Sequence, residues 1–175
     1  MSSRNGVCPS LETGGQTRIW RQTMSRRDEN TGGSFRLAGL AGGRIRDTEL
    51  VQFHPSGILE PADAAGTLIS ETARGECGML RNALGDRFMS NYDLGRIKLS
   101  IRDRVTLAIS TEIADGRHTE KGGVLLHLTH LDQHVILSRL PRVYRNMLDL
   151  QMPDITNVSD RNRTVRALRD RRSLN

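Results

Sequence analysis

Apolar and polar positions alternate along Glu49–Pro55, "ELVQFHP", which reads as a short strand that Pro55 ends, because proline has no N–H to give to a ladder. A second apolar run follows in "AAGTLISE", and "RNALGDRFM" reads as a hairpin-like turn at Leu84-Gly85-Asp86. The firmest pattern comes next. Ile101, Val105, Ala108, Ile109 and Ile113 recur at helical spacing, with Ser100 as N-cap, Asp103 completing a capping-box-like start and Gly116 as the stop. "GGVLLHL" reads as a buried strand. A further amphipathic helix is expected from about Asp132, with Val135, Ile136, Leu140, Val143, Tyr144 and Met147 on one side and Pro141 breaking or kinking it.

The two ends lack such patterns. Residues 1–34 are rich in Gly, Ser, Thr, Asn and Arg, with "TGG" at 13–15 and "NTGG" at 30–33 marking turns around one strand-like scrap, Arg18–Trp20. After Ile155 the apolar period vanishes, and "NVSDRNRTVRALRDRRSLN" is expected to be disordered. Its burst of Arg is what a GC-rich gene gives when read out of frame. Three segments result: 1–48, 49–156 and 157–175. There is no internal repeat, and the mixture of separate strands and helices places the chain in the α+β class.

Composition refines this picture in three ways. Only 36% of the 175 residues are hydrophobic and 3% aromatic, so the core is expected to be aliphatic and lean. No apolar run approaches the roughly 20 residues that cross a bilayer, and no secretory core follows Met1, so a soluble, cytoplasmic chain with free Cys8 and Cys77 thiols is expected. The net charge of +6 sits at the ends: residues 1–48 carry eight Lys/Arg against four Asp/Glu, and 157–175 carry six against two. The middle carries twelve against fourteen, which argues against a phosphate-backbone footprint there. A small basic protein that binds nucleic acid through its Arg-rich tail is the alternative from another class.

Candidate chemistry clusters in the middle segment. His54 stands beside a Pro-Ser-Gly turn, Ser70-Glu71 ends an apolar run, Arg74-Gly75-Glu76 follows as a solvated loop, and Arg102 lies in the first turn of the clearest helix. His118, His127, His130 and His134 have no Cys or carboxylate at strong ligand spacing, and no metal site is expected.

In this order, "ELVQFHPSG", "GTLISETARGECG", "GDRFM", "LSIRDRVTLAISTEIADGR" and "VLLHLTHL" resemble the flavoprotein subunits of succinate dehydrogenase and fumarate reductase, with L-aspartate oxidase as a relative. The likeness spans roughly Thr13 to Thr156. It implies an FAD-dependent oxidoreductase that interconverts succinate and fumarate by hydride transfer. Residues 49–156 would be the capping domain over the dicarboxylate and 1–48 a remnant of the FAD-binding domain. Carried over, His54 and Ser70 bind a substrate carboxylate, Arg102 donates and accepts the proton, and Glu71 links to the proton path. Thr13, Gly14, Gly15, Thr31 and Gly32 fall on flavin-contacting turns. The implied partners are a membrane anchor and an iron–sulfur subunit, which would hold the chain at the membrane periphery. An L-aspartate oxidase fragment is the alternative within the family. The sequence also departs from the family pattern. The strand-GxGxxG opening is missing, as is the segment after the capping domain that supplies another substrate His and Arg, so a fragment that binds no FAD by itself is expected. Gly33 replaces the Asp of "TGDG", and Cys77 replaces a Gly of "RGEGG".

Overall fold

The computed structural model describes residues 31–50, 52–59, 62, 65–97 and 100–149, and the backbone of 165–166. The chain divides into two units, 1–51 and 52–175, where the sequence puts the first boundary after Thr48. Cys8, Thr13, Gly14, Gly15, the Arg18–Trp20 scrap and most of 157–175 lie outside the described residues.

In the first unit, helix α1 spans Gly33–Leu40. Its N-cap, Gly32, has φ 77°, a left-handed conformation that costs glycine little. No residue of α1 is buried, and Leu40 is 75% exposed.

The second unit opens differently from expectation. Residues 52–54 form no strand; pairing begins only past Pro55, where Gly57 and Leu68 make an isolated antiparallel bridge. Around it Ile58 N–H donates to Thr67 O at 2.9 Å and Ile69 N–H to Ser56 O at 3.1 Å. The alternating side chains had suggested a strand, but Pro55 starts the bend that delivers the backbone to its partner.

The chain then turns through helix α2 (Thr72–Gly75), strand β1 (Met79–Arg81) and helix α3 (Met89–Tyr92). Helix α4, Arg102–Ala114, buries Val105, Ala108, Ile109 and Ile113 as its period predicts. Its N-cap is Ile101 with no side-chain cap. Ser100 instead donates its hydroxyl to Asp93 Oδ2 at 2.7 Å, and this tertiary acceptor outcompetes the capping role. At the other end Gly116 (φ 76°) donates to Ile113 O and Arg117 N–H to Glu112 O, a Schellman ending.

Strand β2, Leu125–His127, pairs antiparallel with β1, Leu80 facing Leu126 with both on the core side. The Leu84–Asp86 turn is present, built on Asn82, whose Oδ1 accepts from Leu84 N–H and Asp86 N–H. It is no hairpin, because the strand leaving it is replaced by α3 and α4 before β2 arrives. Helices α5 (Gln133–Arg139) and α6 (Pro141–Asp149) are separated at Leu140, as Pro141 requires; Asp132 caps α5 by accepting from His134 N–H at 2.7 Å. Ile136, Leu140, Val143 and Met147 are buried from these two helices.

Strand β3, Val165–Arg166, pairs antiparallel with β2, giving the sheet order β1-β2-β3. The tail therefore supplies two residues of strand where the sequence suggests none. Backbone pairing to a sheet edge uses main-chain N–H and C=O groups and needs no apolar period.

One buried carboxylate locks several of these elements. Glu112 of α4 is 2% exposed. It accepts from Asn82 Nδ2 (2.9 Å), Tyr92 OH (2.9 Å), Arg117 Nε (2.8 Å) and Arg117 Nη2 (2.9 Å). Both oxygens are thereby satisfied twice, the condition under which a buried charge is tolerated. The Arg117 hydrogen bonds are the largest cause of its carboxyl titrating at about 2 rather than 4.5.

Candidate functional site

Three short segments of the second unit converge. The Gly57–Leu68 bridge lays 54–57 beside 68–71. Thr106 Oγ1 donates to Phe53 O at 3.2 Å and Gln52 Nε2 to Asp103 Oδ1 at 3.2 Å, which ties 52–54 to the start of α4. Glu71 sits at the entrance of α2 and Arg102 is the first residue of α4.

Glu71 is the hub. Its Oε1 accepts from Arg102 Nε, lies 3.5 Å from Arg74 Nη2 and 3.9 Å from His54 Nε2. The hydrogen bond from Arg102 is the main reason its carboxyl titrates below the usual range. The positive end of α4 would by itself disfavour a further positive charge on Arg102. The Glu71 contact outweighs that, and the guanidinium holds its proton more firmly than usual. The pair is therefore held as an ionised carboxylate against a protonated guanidinium.

The His54 side chain is 11% exposed, and burial pulls its pKa below 6.5 despite the Ser56 carbonyl and Glu71. The neutral ring is thus favoured. Its Nδ1 faces both Ser56 O at 3.1 Å and Ser56 N at 3.3 Å. The tautomer sets the roles: Nδ1–H donating to Ser56 O leaves Nε2 an acceptor, whereas Nδ1 accepting from Ser56 N–H leaves Nε2–H as a donor on the Glu71 side.

Ser70 stands next to Glu71 in the chain, and its polar contacts run to Thr72: Oγ to Thr72 Oγ1 at 2.8 Å and from Thr72 N–H at 3.3 Å. The structure thus pairs Glu71 directly with Arg102, sets His54 Nε2 3.9 Å from the same carboxylate, and leaves Ser70 adjacent to Glu71 in the chain.

Arg74 is the residue the sequence undersells. The solvated loop expected there is one helical turn, α2, in which Arg74 is 4% exposed. Its Nε has no hydrogen-bond partner among the described residues, and burial lowers its pKa, opposed by Glu71. The signal was the i,i+3 spacing of Glu71 and Arg74, which puts both on one side of a helical turn. Beyond α2 the chain leaves through Cys77, at φ 75°, and Gly78, where an added Cβ would collide with the Ala73 carbonyl.

Of the residues expected at flavin-contacting turns, Thr31 and Gly32 are described, at the start of α1. Among the described residues that helix end has no side-chain cap, and its first turn has no acidic residue. His127 and His130 stack with ring centroids 5.9 Å apart. No group of three or more His, Cys, Asp or Glu able to hold a metal ion occurs among the described residues.

The FAD binding domain family matches residues 11–169. The chain belongs to this family. It is 42% identical over 136 residues to the 8-methylmenaquinol:fumarate reductase flavoprotein subunit of Wolinella succinogenes, covering 76% of this chain and 21% of that one. It is 43% identical over 135 residues to the succinate dehydrogenase flavoprotein subunit of Rickettsia bellii, covering 76% and 22%. L-aspartate oxidase of Neisseria meningitidis is 37% identical over 147 residues, covering 83% and 28%. Among solved structures, a quinol-fumarate reductase with menaquinol molecules superposes with a TM-score of 0.72 at 29% identity, covering 90% of this chain and 28% of that chain. Sdh1 of Mycobacterium smegmatis gives 0.66 at 34%, covering 89% and 25%. The chain thus spans about a quarter of the length of the relatives it matches, and the resemblance carried by its motifs holds.

Proposed function

We propose that residues 49–156 are the capping segment of an FAD-dependent oxidoreductase that interconverts succinate and fumarate, with 1–48 belonging to its FAD-binding domain. The observation that carries this is the sharing of the Glu71 carboxylate by Arg102, Arg74 and His54 beside the Ser70 hydroxyl.

A dicarboxylate needs donors and positive charge where its oxygens sit. Arg102 meets Glu71 through Nε, so its Nη end is the part that can face a substrate. With His54 Nδ1 accepting from Ser56 N–H, His54 Nε2–H and Ser70 O–H add neutral donors that orient one carboxylate without further net charge. FAD, when bound, accepts or supplies the hydride. The chain's own part is binding and the proton. Arg102 gives a proton to the substrate carbon and regains one, drawn from solvent, through Glu71, whose Oε1 also lies 3.5 Å from buried Arg74 Nη2. Arg is suited to this only under tight geometric control, because its fork is planar and fixed.

Several relatives are flavoprotein subunits of larger enzymes. On that pattern the whole protein would work with a membrane anchor and an iron–sulfur subunit, itself peripheral and cytoplasmic. Among the described residues no helix is long and apolar enough to cross a membrane.

A titration of the isotopically labelled chain with fumarate, followed by NMR, tests the site. Saturable shifts of the amide resonances of His54, Ser70, Glu71 and Arg102, abolished by His54→Ala, are the expected result. Absence of saturable shifts at those four residues overturns the proposal. L-aspartate binding more tightly than fumarate or succinate would move the assignment to an L-aspartate oxidase.

A further inference from the structure

Ser70 poses a problem that Thr72 solves. A hydroxyl has one hydrogen and two lone pairs, and it helps a substrate carboxylate only if the hydrogen points at it. Nothing in serine itself fixes that direction. Ser70 Oγ lies 2.8 Å from Thr72 Oγ1 and 3.3 Å from Thr72 N, so two of its three hydrogen-bonding directions face Thr72. The amide can only donate. If the threonine hydroxyl donates as well, both Ser70 lone pairs are used, and what remains is one O–H aimed away from Thr72. If instead Ser70 donates to Thr72, a lone pair remains, and a lone pair repels a carboxylate.

The surroundings decide between these states when an anion is present. Ser70 is followed by Glu71, held with Arg102, Arg74 and His54 as neighbours. A carboxylate drawn to that positive cluster selects the state in which Ser70 donates to it, and Thr72 then donates to Ser70. The hydrogen-bonded pair polarises in one direction, which strengthens the outer bond. Thr72 itself is exposed, and among the described residues its hydroxyl bonds to Ser70 alone.

We infer that Thr72 is a positioning residue: its hydroxyl donates to Ser70 Oγ and thereby sets Ser70 as a directed donor to a substrate carboxylate. This rests on the dicarboxylate site proposed above. Valine at 72 keeps the shape of threonine, removes the hydroxyl and leaves the amide bond to Ser70 in place, so any effect reads the hydroxyl.

The test is the fumarate titration repeated on the full chain with Thr72→Val, Thr72→Ser, Ser70→Ala and the Ser70→Ala/Thr72→Val pair, with a thermal melt of each. Thr72→Val is expected to weaken binding about five-fold, one hydrogen bond's worth. Thr72→Ser should restore it, and Thr72→Val should add nothing once Ser70 is alanine. Melting temperatures should stay alike, since a role confined to the α2 turn would move them instead. Unchanged affinity in Thr72→Val, an equal loss in Thr72→Ser, or an undiminished effect in the Ser70→Ala background each overturns the inference while leaving the dicarboxylate site standing. A wild-type chain that does not bind fumarate removes both. Should the valine variant melt early, Thr72→Ala together with Thr72→Ser supplies the same comparison.

Discussion

Cys77 shows how one side chain sits against its backbone. At φ 75° it occupies the left-handed region, where a Cβ crowds the following carbonyl and costs about 1–2 kcal/mol. The related flavoprotein motif has glycine there, and the sequence departure is therefore a local strain at the exit of α2. Cys77→Gly should raise stability by about 1 kcal/mol, after subtracting the entropy glycine adds to the unfolded chain. Chemical denaturation checks this; a lower unfolding midpoint would show that the thiol contributes more than the strain costs. Arg74 is the opposite lesson. Its charge suggested solvent, but Arg74 is buried one helical turn from Glu71, whose side chain stays 40% exposed.

At the scale of elements, the Glu112 network joins the C-terminal end of α4 to α3 and to the turn after β1 through Tyr92, Asn82 and Arg117. None of these residues announces itself in the sequence, where Glu112 is one polar residue among several in a helix. The apolar stripe located the helix face, and Glu112 falls within that stripe between Ile109 and Ile113. Its carboxyl titrates at about 2 in the folded chain against an ordinary 4.5. Because the folded value is the lower one, the stabilisation is complete above about pH 4.5 and is lost as the pH falls toward 2. After allowing for the partial exposure of Arg117, the effect is about 2 kcal/mol at neutral pH. Glu112→Gln should therefore destabilise the chain at pH 7 and flatten its stability profile between about pH 5 and pH 2. Parallel acid profiles for the two proteins would show that the carboxylate is not the group that matters.

For the molecule as a whole, the decisive fact is what the 175 residues contain. They include Thr31 and Gly32 at an uncapped helix start but no GxGxxG turn between a strand and a helix, the structure that cradles dinucleotide phosphates. The chain alone is expected to bind no FAD, although its family does. Incubation with FAD followed by gel filtration checks this; a purified fraction with visible flavin absorbance would overturn it.

The sequence by itself determined what depends on local order. The stripe of α4, the Gly116 stop, the break at Pro141 and the β2 strand are legible because period, glycine conformation and proline chemistry act within a few residues. The same holds for the family, since ordered motifs survive without knowledge of contacts. Tertiary structure decided the rest. Ser100 lost its capping role to Asp93, and the alternation at 49–55 yielded to a bridge between Gly57 and Leu68. His54, Glu71, Arg74 and Arg102 became one cluster, and Thr72 became the partner of Ser70. These outcomes depend on which groups from distant segments arrive at hydrogen-bonding distance. A polar side chain takes the best partner it meets on folding, and no local pattern names that partner in advance.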